Sequence, residues 1–170
     1  MVRTWGLKGI TPLIQSAGGW KRITAAGMIT FNAKTRRTGS VAWLFRKGMR
    51  KKKMLQILQD IKKKYQKSAF VFLWDSLPAH KAKIVTQFVE ANKEWLTTLR
   101  FPAYAPELNP QEYLWSGVKR ADFGNYSAPT LQSLHGKVRR TLKKRSGQSK
   151  FLKGCIKASR LFTARELGED

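Results

Sequence analysis

Two acids bound the chemistry open to this chain. Asp75 ends the apolar run Phe70-Val71-Phe72-Leu73-Trp74, and Glu112 follows the turn Tyr104-Ala105-Pro106-Glu107-Leu108-Asn109-Pro110. Each sits where a strand is expected to have just ended, so both carboxylates could converge on one divalent metal. Two carboxylates are a thin ligand set for phosphodiester chemistry, so a third acid decides how far such a site can act. Plainer readings stand beside this one. Asp75 fits a turn acid or a helix cap before Pro78. Glu112 falls at the third position of a helix opened by Asn109 and Pro110, where it can complete a capping box. A metal-bound carboxylate there would also lie near the positive end of the helix dipole, so the two roles compete for the same oxygens.

The charge balance points to the partner. Thirty-four Lys and Arg against ten Asp and Glu give +24. Such a charge opposes the compact state unless a polyanion or salt offsets it, and nucleic-acid phosphates are the natural polyanion. The cations expected on the backbone are Arg50, Lys51, Lys52, Lys53, Lys62, Lys63, Lys119 and Arg120. Lys137, Arg139, Arg140, Lys143, Lys144 and Arg145 extend that set into the C-terminal stretch. Charge alone gives binding and not function, and lysine runs are also ordinary solvated helix faces. His80 fits a phosphate contact, a group behind the acids, or a structural residue in a first helical turn; His135 reads as surface. Cys155 is the sole cysteine, which excludes a disulfide framework and any zinc site built on cysteines. The longest apolar stretch is far too short for a membrane span, and no signal-peptide pattern opens the chain. The compartment expected is an intracellular, reducing one.

At 170 residues, with 42% hydrophobic and 11% aromatic content, the chain can bury a core. Alternation over Lys21–Phe31 and Ser40–Arg46 predicts two strands, with Asn32–Gly39 as the hairpin loop. Met54, Ile57, Leu58, Ile61 and Tyr65 predict a first helix. Phe70–Trp74 reads as a central parallel strand. Ile84, Phe88, Ala91 and Trp95 predict a second helix, Thr97–Phe101 a strand, and Gln111–Arg120 a third helix with Leu114, Trp115 and Val118 inward. All six tryptophans (Trp5, Trp20, Trp43, Trp74, Trp95 and Trp115) read as core rather than as stacking platforms. Residues 123–165 differ, with eleven cations and no acid. Helices are expected around Thr130–Arg145 and Lys150–Ala164 in an appended basic extension. The order β-β-α-β-α-β-α predicts an α/β layer with some parallel strands. The domain boundaries expected are 1–122 and 123–170.

The combination is more specific than its parts. The string Trp74-Asp75-x-x-Pro78-Ala79-His80 is followed by Pro102-x-Tyr104-x-Pro106-x-Leu108-Asn109-Pro110-x-Glu112-Tyr113-x-Trp115 and Lys119. Together they closely resemble the catalytic core of DDE transposases, in the bacterial insertion-sequence branch of the mariner superfamily. Thr4-Trp5-Gly6-Leu7-Lys8-Gly9 is similar to the segment just before that family's second strand. The resemblance covers about residues 4–120.

It implies an RNase H-like fold, a mixed sheet with flanking helices. Asp75 would be the second acid and Glu112 the third of a metal-binding triad, with His80 and Asn109 as supporting groups. The implied cofactors are two Mg²⁺ or Mn²⁺ ions, and the implied partner is DNA, with homo-oligomers in a DNA complex. The family's first aspartate lies on a first, central strand upstream of the Trp-Gly-Leu-Lys-Gly segment. Here only Met1-Val2-Arg3-Thr4 precede Trp5. A sheet lacking that strand is expected to be open or rearranged, or to depend on an upstream transposase portion from another reading frame. Three functions follow: the C-terminal part of a transposase, inactive alone; a non-catalytic DNA-binding remnant or regulator; or an independent metal-dependent nuclease.

Overall fold

The computed structural model describes residues 8–9, 22–65, 67–162 and 166. Trp5 and Trp20, and most of the Thr4–Gly9 segment, lie outside these. The chain divides into two compact units, residues 47–109 and residues 1–46 with 110–170. Among the described residues no helix is long and apolar enough to cross a membrane.

The contiguous unit is a β-α-β crossover backed by a helix. Helix α1 (Lys51–Tyr65) buries Met54, Ile57, Leu58 and Ile61, the apolar stripe its spacing dictates. Strand β1 (Phe70–Trp74) runs parallel to β2 (Leu96–Arg100), in register from Phe70 opposite Leu96 to Trp74 opposite Arg100. Between them come a 3-10 turn (Pro78–Lys81) and helix α2 (Lys83–Glu90).

That second helix is shorter than its apolar spacing predicts. The Asn92 side chain donates to the Phe88 carbonyl at 2.6 Å and its backbone N–H bonds Val89, closing the helix end. Trp95 is therefore carried by a turn. Its indole N–H donates to the Tyr65 carbonyl at 3.1 Å, tying the end of α1 to the start of β2. Val85, outside the expected stripe, is the fully buried residue of α2.

The discontinuous unit is a hairpin covered by helices. Strands β3 (Thr24–Phe31) and β4 (Thr38–Phe45) pair antiparallel from Thr24–Phe45 to Phe31–Thr38. The reversal is made by Arg36 at φ +54°, with Asn32 Oδ1 accepting from the Thr35 N–H at 2.8 Å. Gly39, expected to close the loop, instead pairs with Thr30 inside β4. Helix α3 (Pro110–Gly117) continues into a π turn (Val118–Asp122), followed by α4 (Leu131–Ser146) and α5 (Ser149–Ala158). Gly27 lets β3 approach α3: a Cβ there would lie 3.0 Å from the Trp115 ring.

The boundary expected at residue 122 is not where the structure divides. Leu114 and Val118 of α3 and its extension share one core with Leu142 of α4 and Leu152 and Cys155 of α5. Thr38 on β4 also meets Ser149 of α5, hydroxyl to hydroxyl, at 2.9 Å. The C-terminal helices are thus half of this unit's interior and not an appendage. Their cationic composition concealed a narrow apolar stripe, because the exposed faces hold nearly all the charge. Thr130 opens α4 with a capping box to Ser133.

The described strands form two separate two-stranded sheets rather than one continuous sheet. The order of these elements is the expected one.

Candidate functional site

Asp75 leaves β1 at its carboxyl end, where sheet pairing stops and side chains face the sheet's edge. Its carboxylate is half-exposed. Oδ1 accepts the Leu77 N–H at 3.2 Å and lies 3.0 Å from His80 Nδ1. The turn-acid reading and the site reading therefore coexist, on different oxygens: among the described residues no bond reaches Oδ2.

His80, in the 3-10 turn, is only 9% exposed and stacks on Trp74 with centroids 4.7 Å apart and planes within 11°. Its Nδ1 also lies 2.9 Å from the Asp75 carbonyl oxygen. A carbonyl can only accept, so Nδ1 carries the hydrogen. One imidazole N–H is thus shared between the main chain and the side chain of Asp75.

Asn109 follows the 3-10 turn Pro106–Leu108 and donates its N–H to the Pro106 carbonyl at 3.0 Å. Glu112 stands exposed in the first turn of α3. The structure brings His80 to Asp75; Glu112 belongs to the other compact unit. Among the described residues no three His, Cys, Asp or Glu side chains gather as a metal-binding group. The donors fit a hard divalent ion in kind, since carboxylate oxygens suit Mg²⁺ and Mn²⁺, and fall short in number.

The cations sort into two groups. Lys53 Nζ is held by the carbonyls of Lys47 and Gly48. Lys62 meets the Asn92 side chain. Lys137 lies over the Tyr126 ring at 3.5 Å. Arg145 donates twice to Asp122 Oδ2, at 2.9 and 2.7 Å, donates to Gln148, and covers the Phe151 ring. Each of these four has a partner within the fold, and Lys62 is nonetheless exposed. Arg120 reaches Ser116 along its own turn at 2.8 Å. Arg50, Lys51, Lys52, Lys63, Lys119, Arg139, Arg140, Lys143 and Lys144 are exposed.

Position separates the exposed cations further. Lys63, Lys143 and Lys144 lie in last helical turns, where cations favour the fold through the dipole. Lys51 and Lys52 sit in the first turn of α1, which carries no acid. There each opposes the dipole by roughly 0.3–1 kcal/mol.

The burial of Cys155 raises its thiol pKa above the ordinary value, through desolvation, with the Arg145 charge acting in the opposite sense. It is a core residue, and no spacing signal marks Asp122 as the partner of Arg145.

The arrangement of short sheets with flanking helices matches solved structures of RNase H-like fold. The transposase chain of the crystal structure of the Mos1 strand transfer complex matches with a TM-score of 0.57 at 14% identity, over 95% of this chain and 50% of that one. The Mos1 paired-end complex with left transposon end gives 0.56 at 12% identity, over 94% and 51%. The Mos1 catalytic domain with raltegravir and Mn gives 0.51 at 14% identity, over 83% and 84%. This chain therefore spans about half the length of the transposase chains in the two complexes. No curated protein matches it. A model of the DDE superfamily endonucleases matches residues 2–135, and the chain belongs to that family.

Proposed function

We infer that this chain supplies part of a divalent-metal site for DNA strand cleavage and transfer, with Asp75 and Glu112 as two of its carboxylate ligands. The observation that carries the reading is the state of Asp75. One oxygen is fixed by His80 and the Leu77 N–H, while the other, at the end of a parallel strand, has no partner among the described residues. A carboxylate held in this way is oriented before any ligand arrives, which is what a metal site needs from its surroundings. Glu112 adds a second hard oxygen donor at the start of α3.

Mg²⁺ or Mn²⁺ bound there would supply activation of water or a 3′-hydroxyl and stabilisation of the leaving oxygen. The residues of this chain do the rest. His80 orients Asp75, and Asn109 fixes the approach to α3. Arg50, Lys51, Lys52, Lys119 and Arg120 hold the phosphate backbone. Two carboxylates are too few for a two-ion site, so in this reading a further acid, as from an upstream transposase portion, completes it. In this reading the chain alone binds DNA and does not cut it.

Mn²⁺ binding followed by electron paramagnetic resonance, together with nicking of supercoiled DNA, tests this. Asp75→Asn and Glu112→Gln should each weaken Mn²⁺ binding, and nicking should need the upstream portion. Cleavage by the isolated chain that survives Asp75→Asn would sink the assignment.

A second reading, a DNA-binding regulator without catalysis, is favoured by one observation. Lys51 and Lys52 lie where they cost the fold stability, so a polyanion is the simplest reason for them. Unchanged Mn²⁺ binding in both acid variants, with steeply salt-dependent DNA binding, would decide for it.

A further inference from the structure

Tyr104 is the most exposed large hydrophobic side chain among the described residues, at 102% of its reference area. Its backbone is left-handed, at φ +57°. Both features burden the isolated fold: a β-carbon crowds the carbonyl in that conformation, and a bare aromatic ring orders water. Neither is relieved by a contact on the ring. The segment is nonetheless well defined. Pro102 and Pro106 flank it with fixed φ angles, and Pro106 opens the 3-10 turn that leads to Asn109.

The place of this ring in the sheet matters. The Phe101 N–H donates to the Trp74 carbonyl at 2.9 Å, so the chain leaves β2 at the same end where Asp75 leaves β1. Arg100, in register with Trp74 and exposed, stands at that end too. One edge of a two-stranded sheet thus offers a carboxylate with an open oxygen, a guanidinium and an unsupported aromatic face. A ligand suited to the ring and the guanidinium carries a flat π surface and phosphate charge, and a nucleotide of a single strand has both; the carboxylate would meet such a phosphate only through a divalent cation. A paired base keeps its faces covered by its neighbours, so only an unpaired or unstacked base can lie on such a ring.

We propose that Tyr104 is a stacking post for an unpaired nucleobase of the DNA strand engaged at the Asp75 edge, with Arg100 on the adjoining phosphate. This rests on the DNA reading given above and adds to it the form of DNA preferred, an opened strand end rather than a closed duplex. The hydroxyl is dispensable in this role and the ring is not.

The test compares a blunt duplex with the same duplex bearing a short single-stranded 3′ end that contains 2-aminopurine. Binding and 2-aminopurine quenching are measured with the full chain and with Tyr104→Phe and Tyr104→Gly. Glycine relieves the left-handed strain, so this variant should fold at least as well as the parent, which urea unfolding checks. The expected result is that the parent and Tyr104→Phe prefer the opened end and quench the probe. Tyr104→Gly should lose the quenching and about tenfold or more of its affinity for the opened end, with blunt-duplex affinity unchanged. Equal binding and equal quenching by Tyr104→Gly and the parent would overturn the stacking role and leave the DNA reading standing. Failure of the parent to bind either DNA would overturn both, and would point to a protein partner for the ring.

Discussion

His80 holds Asp75 twice with a single N–H, at 2.9 Å to its carbonyl and 3.0 Å to its Oδ1, while lying flat against Trp74. Stack and hydrogen bond can be separated by substitution. His80→Phe keeps an aromatic face on Trp74 and removes the donor; His80→Asn places an amide N–H near the position of Nδ1 and removes the ring. Losing the donor should lower unfolding free energy by about 1–3 kcal/mol, since the Asp75 carbonyl then lacks its partner. The Phe variant should also weaken Mn²⁺ binding more than the Asn variant does. The reverse order would assign the role of His80 to packing.

Arg145 and Asp122 form a pair with each side chain under a fifth exposed. Arg145→Met should cost about 2 kcal/mol or more in urea unfolding, because Asp122 is left charged and poorly hydrated. The same variant should leave the salt dependence of DNA binding nearly unchanged. Lys51→Gln or Lys52→Gln should instead reduce the slope of log K against log salt by about one and leave stability equal or slightly better. An Arg145→Met slope change as large as that of Lys51→Gln would return this arginine to the DNA surface.

Gly27 and Gly39 lie on neighbouring strands of one hairpin, yet alanine should be tolerated differently. At Gly27 the new methyl would lie 2.6 Å from Gln111 Nε2 and 3.0 Å from the Trp115 ring. A ring wedged against a helix gives little, so a loss of about 1–3 kcal/mol is expected in denaturant unfolding. At Gly39 the only close atom is the Thr30 hydroxyl, 2.9 Å away. That hydroxyl can change rotamer, and the expected loss is below about 1 kcal/mol. Equal losses at the two sites would count against a close β3–α3 approach.

Cys155 sets a pH dependence whose sign follows from desolvation. Burial raises its pKa, so the folded state disfavours the thiolate relative to the unfolded chain. Its contribution is full below the thiol's ordinary value of 9.0 and is lost as pH rises through the folded value. Unfolding midpoints measured from about pH 8 upward should fall more for the parent than for Cys155→Ala, the difference isolating this thiol. Parallel curves would mean that the thiol is not desolvated.

Much of the fold could be read from spacing. Met54, Ile57, Leu58 and Ile61 had one face to bury and buried it, and the run Phe70–Trp74 paired in parallel as its apolar character demands. The errors have local causes. The helical pattern through Trp95 failed because Asn92 caps the chain from within it, and capping by an asparagine competes with helix in a way that apolar spacing does not register. Residues 123–165 read as an appendage because charge hides a stripe of Leu142, Leu152, Cys155 and Ile156. At the site, the resemblance singled out Asp75 and His80 together, and the structure supplies their contact. Arg145 could not be told from its neighbours Lys143 and Lys144, since only the fold brings Asp122 to it.

The discontinuous unit has a consequence for the order in which the protein can form during synthesis. Residues 47–109 are contiguous and can close once their own stretch has cleared the ribosome. The hairpin of β3 and β4 emerges earlier but finds its covering helices only after residue 110, and its innermost partners, Leu152 and Cys155, only with α5. At roughly 5–20 residues per second, these two strands wait several seconds with one apolar face bare. A ribosome stalled or a message cut short within α5 would therefore damage the beginning of the chain, and leave the unit that carries Asp75 intact.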